Sequence, residues 1–192
     1  MAAGARRRDG LQKFREFAPL VEFVRKRRPR VVLEIGTWTG GTLWAWCRCA
    51  APDALIISVD LPKGVGEEAV TKRLAGYALP GQSLQLLRMD SHDPATLSKL
   101  RQLLDGRQID FAFIDGDHSY EGVRADFEMY GPLVDGYVAF HDVAPQDWEP
   151  GVEVDRFWKE LSPGRETWEF VDPYDDKLHP DWGGIGVLRV GE

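Results

Sequence analysis

The chain is poor in cysteine and has no surplus of positive charge. Only two of its 192 residues are Cys, and Asp plus Glu outnumber Lys plus Arg by 31 to 24, a net charge of −7. Cys47 and Cys49 lie two apart on a segment expected to be helical, so they point to different faces. Neither a disulfide nor a metal clip follows, and reduced thiols in a cytoplasmic protein are expected. The acidic balance argues against a broad nucleic-acid surface. The basic clusters Arg6–Arg8 and Arg25–Arg30 read as a solvated helix face. No apolar run reaches the length of a membrane span, and the N-terminus lacks the apolar core of a signal peptide, so no membrane partner is expected. Internal repeats and low-complexity segments are also missing.

What the chain does contain is a strand, a glycine turn and a helix in succession. Val31, Val32, Leu33 and Ile35 form the short apolar run of a strand buried on both faces. Gly36 breaks the run, Gly40 and Gly41 follow, and Thr42 opens an apolar segment running to Ala50 before Pro52. This is the opening of a doubly wound α/β domain, in which ligands sit beyond the carboxyl ends of the strands. A dinucleotide fingerprint would need a glycine where Trp38 stands, which argues against a nicotinamide oxidoreductase. The length suits one such domain over 1–192. Within it we expect an N-terminal helical segment to residue 29, a ligand-binding core over 30–143, loops and a helix over 144–185, and a last strand over 186–192.

Along the chain, the apolar spacing predicts a helix over Leu11 to Arg27, ended by Pro29 and divided in two by Pro19. A second buried strand, Leu55 to Val59, ends in Asp60, about 20 residues past the glycine turn, where a carboxylate can accept hydrogen bonds from a ribose diol. A polar helix from Glu67 to Tyr77 and a third strand from Leu84 to Met89 come next. Asp93-Pro94 caps a helix running to Leu104. Thr167 to Val171 and Gly186 to Val190 read as the final strands, after a helix from Val152 to Leu161. The stretch between them, Asp172–Gly184, is too polar and proline-broken for core; Tyr174, His179 and Trp182 within it, with Trp148 in the irregular segment after Val143, are candidate pocket walls, with ordinary surface aromatics as the alternative.

The second informative stretch is Ile109 to Tyr120. Phe111 to Ile114 form a buried strand, and Asp115, Asp117 and His118 crowd its carboxyl end. Core packing does not explain adjacent carboxylates; water, a cation or a hydrogen-bond network must relieve them. His141 and Asp142 end the next strand, Tyr137 to Phe140. A helix from Tyr120 to Tyr130 joins the two, so a right-handed crossover brings both ends to one edge of the sheet.

The run from Glu34 to Gly40, E-x-G-x-x-x-G, resembles motif I of the class I S-adenosylmethionine-dependent methyltransferases. F-I-D-G-D-H-S-Y-E-G-V-R-A-D-F, followed by P-L-V-D-G-Y-V-A-F-H-D-V, is similar to the metal-dependent small-molecule O-methyltransferases of the catechol, macrolide-sugar and cephalosporin type. The resemblance spans Glu34 to Val143. It implies a Rossmann-like, seven-stranded, mostly parallel sheet with an antiparallel last strand and helices on both faces. It implies S-adenosyl-L-methionine held by Glu34, Gly36, Thr37, Trp38, Gly40, Asp60, Asp90, Ser91 and Asp115. It further implies a divalent metal, Mg2+ or Mn2+, on Asp115, His141 and Asp142, with His118 as general base. His141 departs from the family, which has Asp or Glu there; imidazole suits manganese, iron, zinc or nickel better than magnesium. His141 as acid/base, or a metal-free site using His118 or His141 as base, are the alternatives. The acceptor implied is a small polyhydroxylated molecule: a sugar, a catechol or a natural-product precursor. These small domains often pair, so a homodimer is expected. A catalytically inactive nucleotide-binding scaffold is the reading from another class. DNA amino-methylation is disfavoured, since no Asn/Asp-Pro-Pro-aromatic run follows the fourth strand.

Overall fold

The computed structural model describes residues 1–6, 12–62, 64, 66–145, 149–172 and 183–191. In chain order its elements are α1 (Ala2–Arg6), α2 (Phe14–Arg27), β1 (Val31–Ile35), α3 (Gly41–Cys49), β2 (Leu55–Asp60), α4 (Glu67–Ala75) and β3 (Ser83–Arg88). Then come α5 (Pro94–Leu104), β4 (Ile109–Ile114), α6 (Tyr120–Tyr130), β5 (Val134–His141), α7 (Val154–Leu161), β6 (Thr167–Phe170) and β7 (Ile185–Val190). The strands form one sheet in the order β3-β2-β1-β4-β5-β7-β6. β1 to β5 pair in parallel, and β7 runs antiparallel to both β5 and β6. The expected sheet, with its antiparallel last strand, is therefore present.

Strands covered on both faces must be apolar on both, and every residue of β1 is buried. Alternate residues feed two cores. Val32, Ile56, Phe111 and Phe113 pack with Leu20, Val24, Leu43 and Trp46 of α2 and α3. Leu33, Ile57, Ile114 and Phe140 pack with Leu100, Val123 and Phe157 of α5, α6 and α7. Both cysteines are buried free thiols, pushed up to about 12 by burial. Among the described residues no helix is long and apolar enough to cross a membrane.

Pro19 does not divide the first long helix, which runs unbroken through Phe14–Arg27. A mid-helix proline costs about 3 kcal/mol. Burying Phe17, Leu20, Val21, Phe23 and Val24 contributes roughly 1.5–3 kcal/mol per side chain and outweighs it. The fifth strand starts at Val134, earlier than expected, because pairing with Ile109 carries it through Gly136. Leu11, Trp148, Tyr174, His179 and Trp182, and most of the Arg6–Arg8 cluster, lie outside the described residues.

The strand order decides where a ligand can sit. From β1 the chain moves outward to β2 and β3, then returns to β4 and β5 on the other side. β1 and β4 flank this reversal, and the crevice beyond their carboxyl ends is the expected ligand position.

Candidate active site

A cleft of about 790 Å3 opens at that reversal. Its walls are the residues just past the five parallel strands: Gly36–Thr39, Asp60–Leu61, Met89–His92, Asp115–Ser119 and His141–Asp142, with Gln12 at one side. The turn after β1 is tight. The Gly36 N–H donates to the Val59 carbonyl at 2.9 Å, and the Asp115 N–H donates to the Ile35 carbonyl at 2.8 Å. Gly36 sits at φ +84, and a Cβ on it would stand 1.9 Å from the Asp115 carbonyl oxygen. No other residue fits there.

The motif residues divide between cleft and wall. Gly36, Thr37 and Trp38 line the cleft, and Trp38 lies at its rim, 61% exposed. Gly40 does not line it; at φ +85 it opens α3, and a Cβ would meet Leu74 Cδ2 of α4 at 2.1 Å. Glu34 does not line it either. The side chain is fully buried and accepts from the Trp46 indole N–H at 2.9 Å. Burial pushes its carboxyl up to about 8, against hydrogen bonds from Thr42, Trp46 and Thr37.

Asp60 ends β2 facing the cleft, 3.3 Å from Arg88 Nη1 on the neighbouring strand; Arg88 also approaches Glu67 Oε1 at 2.8 Å. Register pairs Asp60 with Arg88, a partner that the sequence reading missed. Asp90, Ser91 and His92 line the next turn, where Asp90 Oδ1 accepts the His92 N–H at 2.9 Å.

Across the reversal, Asp115, His118, His141 and Asp142 offer ligating atoms that all lie within 4.8 Å of one another. His118 Nδ1 donates to Asp142 Oδ2 at 2.6 Å, and His118 Nε2 stands 3.8 Å from Asp115 Oδ1. His141 Nδ1 is 3.2 Å from Asp115 Oδ1 and 3.2 Å from Asp142 Oδ2. Asp142 adopts φ 62, a left-handed conformation that Asp tolerates better than most residues. The hydrogen bond to Asp142 raises His118 against burial. Burial opposes charge on His141, yet the Asp115 and Asp142 carboxylates raise it well above the ordinary imidazole value. Burial likewise works against Asp142, and the two imidazoles still hold it well below the usual carboxylate range.

From the N-terminal helical segment one further residue reaches this cluster, and a second ties down the backbone on either side of the segment after β6. Gln12 Nε2 donates to Asp115 Oδ2 at 2.8 Å. Glu16, fully buried on α2, accepts the N–H groups of Asp172 and Gly184, each at 3.0 Å. Neither carried a signal in the sequence: they lie 103 residues from Asp115 and 156 from Asp172.

Fold and cleft together have the layout of a class I methyltransferase domain. Solved structures share this fold. The O-methyltransferase TomG from Streptomyces achromogenes, involved in tomaymycin synthesis and solved with S-adenosylmethionine, superposes with TM-score 0.66 at 20% identity, covering 100% of this chain and 88% of that one. An O-methyltransferase from Bacillus cereus in complex with S-adenosylhomocysteine superposes with TM-score 0.62 at 17% identity, covering 89% and 79%. In sequence, an uncharacterized protein of Acanthamoeba polyphaga mimivirus is 34% identical over 122 residues, 62% of this chain and 54% of that protein. The chain therefore spans little more than half the length of that relative. The profile of a family described as a methyltransferase domain matches residues 33–143, more than half of the chain. The chain belongs to this methyltransferase family.

Proposed function

We propose that the protein is an S-adenosylmethionine-dependent O-methyltransferase that acts on a small polyhydroxylated acceptor with the help of a divalent metal. The observation that carries this reading is the Asp115–His118–His141–Asp142 cluster, gathered beside the cleft on the far side of the reversal from Asp60. In this reading the Asp60 carboxylate takes the ribose diol and the Asp90-Ser91 turn takes the adenine edge. The loop after β1 takes the methionine end, which places the reactive methyl towards the cluster.

The donor set fits a metal. Four ligating atoms lie close together, and neither ring nitrogen of buried His141 has a hydrogen bond of normal geometry. Two carboxylates with imidazole favour manganese, iron, zinc or nickel over magnesium. Asp115, His141 and Asp142 would hold the ion. When bound, such an ion lowers the pKa of a coordinated hydroxyl and orients it, which suits an acceptor with two neighbouring hydroxyls. His118 has a different task. Asp142 fixes its Nδ1 as a donor, so Nε2 is the nitrogen left to take the proton from the acceptor oxygen as that oxygen bonds to the methyl carbon. The walls align acceptor and donor for in-line displacement.

A second reading keeps the transfer but dispenses with the metal, and the 2.6 Å His118–Asp142 hydrogen bond favours it, because that pair orients a base by itself. Methyl transfer to a panel of sugars and catechols, with and without chelator, separates the two. We expect chelator to remove most turnover, Mn2+ to restore it, and Asp142→Ala to abolish the chelator-sensitive part. Turnover indifferent to chelator passes the task to His118 alone. Binding of S-adenosylhomocysteine with no transfer to any acceptor would leave the inactive scaffold instead.

A further inference from the structure

Gly122, Asp126 and Tyr130 are spaced four apart on α6, so they share one face of the helix. That face meets the turn leaving β3. His92 Nε2 lies 3.2 Å from the Gly122 carbonyl oxygen and 3.3 Å from Asp126 Oδ1, and the Tyr130 hydroxyl donates to the Ser91 carbonyl at 2.5 Å. A carbonyl only accepts, so this histidine nitrogen carries the hydrogen and gives it to Gly122, while the buried Asp126 carboxylate, itself without a hydrogen bond of normal geometry, stands within ion-pair distance of the same nitrogen. The other ring nitrogen, Nδ1, stands 4.0 Å from Asp90 Oδ1 at the cleft.

Asp126 is an expensive residue to keep in this place. It is fully buried, and burial pushes its carboxyl up to about 6, with Ser91 and His92 pulling it down and the charges of Asp117 and Asp90 pushing it further up. A buried carboxylate is a poor source of stability, and an amide of the same shape would spare the fold its desolvation. Its polar neighbours, Ser91 and His92, instead belong to the turn lining the cleft.

We propose that Asp126 is a positioning residue for the cofactor: acting through His92 and Ser91, it fixes the Asp90–His92 turn against the adenine edge and so sets nucleoside affinity without touching the nucleoside. The inference rests on the S-adenosylmethionine reading above and adds to it a determinant on a helix outside the cleft. Sites of this kind exchange stability for function, and their members act together.

The test measures S-adenosylhomocysteine binding by calorimetry, KM for S-adenosylmethionine, kcat, and thermal stability in wild-type protein and Asp126→Asn. Affinity and KM should weaken roughly tenfold, the effect of losing one close charged contact to the His92 imidazole. At saturating cofactor, kcat should stay within about twofold, and the melting temperature should hold or rise because a buried charge is gone. A variant that melts lower yet binds like wild type has lost only a structural group, and overturns the proposal; so does unchanged affinity at unchanged stability. Should Asp126→Asn fail to fold, His92→Gln is measured in its place and must show the same affinity loss. Where both fold, the double variant should lose less than the sum of the two, and full additivity overturns the proposal. Wild-type protein that binds no S-adenosylhomocysteine overturns the methyltransferase reading itself, whereas variants that match a binding wild type overturn this inference alone.

Discussion

Glu34 and Asp142 are both buried acids beside the carboxyl end of a central strand, and their surroundings drive them to opposite charge states. Glu34 is the penultimate residue of β1, on the face covered by α3; burial lifts it to about 8, so it carries its proton at neutral pH. Asp142 follows β5 and meets two imidazoles, which keep it ionised in spite of its burial. Position along a strand therefore says little about an acid's role. The sign of the charge it faces decides: Glu34 meets an indole, two hydroxyls and the negative charge of Asp115, whereas Asp142 meets two groups that can hold or release a proton. One is a neutral acid packed behind the cleft, the other a charged acid lining it.

The largest effect should come from removing the charged member. Asp142→Asn keeps the shape but takes away the negative charge that His118 and His141 share, and should cut kcat/KM by about 10^3-fold in a methyl-transfer assay. Calorimetric affinity for S-adenosylhomocysteine should fall far less, since the opposite end of the cleft is untouched. Equal losses in both would mean that Asp142 supports the cleft as a whole, and the contrast with Glu34 would collapse. His118→Gln comes next. It leaves Asp115, His141 and Asp142 to bind a metal, so Mn2+ uptake measured by calorimetry should persist while kcat drops about 10^2-fold. Loss of metal uptake in this variant would make His118 a ligand and not a base.

These distinctions were only half legible in the sequence. The sheet could be read because strands buried on both faces leave uninterrupted apolar runs, and because glycine must follow β1 where β4 crowds it. The convergence of Asp115 and Asp142 could be read because crossover handedness sets which strand ends share an edge. The charge partners could not. Arg88 meets Asp60 through strand register, Gln12 meets Asp115 across 103 residues, and Asp126 looks like any exposed acid on a helix until its face is found packed against His92. Glu34 shows the same blindness: the motif resemblance places it at the cofactor, while strand alternation turns it towards Trp46. Side-chain pairing across the fold leaves no periodic trace along the chain.

The smallest expected effect is on stability alone, and it tests the Glu34 half of the contrast. A carboxyl raised from 4.5 to about 8 on folding binds a proton in the native state that the unfolded chain has already released. Stability contributed by the protonated form is fully present below about 4.5, declines as pH rises, and is gone once pH passes about 8. The decline is about 1.4 kcal/mol per pH unit inside that window. Glu34→Gln keeps an acceptor for the Trp46 N–H and donors for the two threonine hydroxyls, but has no proton to lose. Denaturant unfolding at pH 6 and pH 8 should therefore show the variant gaining on wild type by about 2 kcal/mol between the two conditions. A difference that stays constant with pH would mean Glu34 is ionised in the folded protein, and the two acids would then differ in place but not in charge.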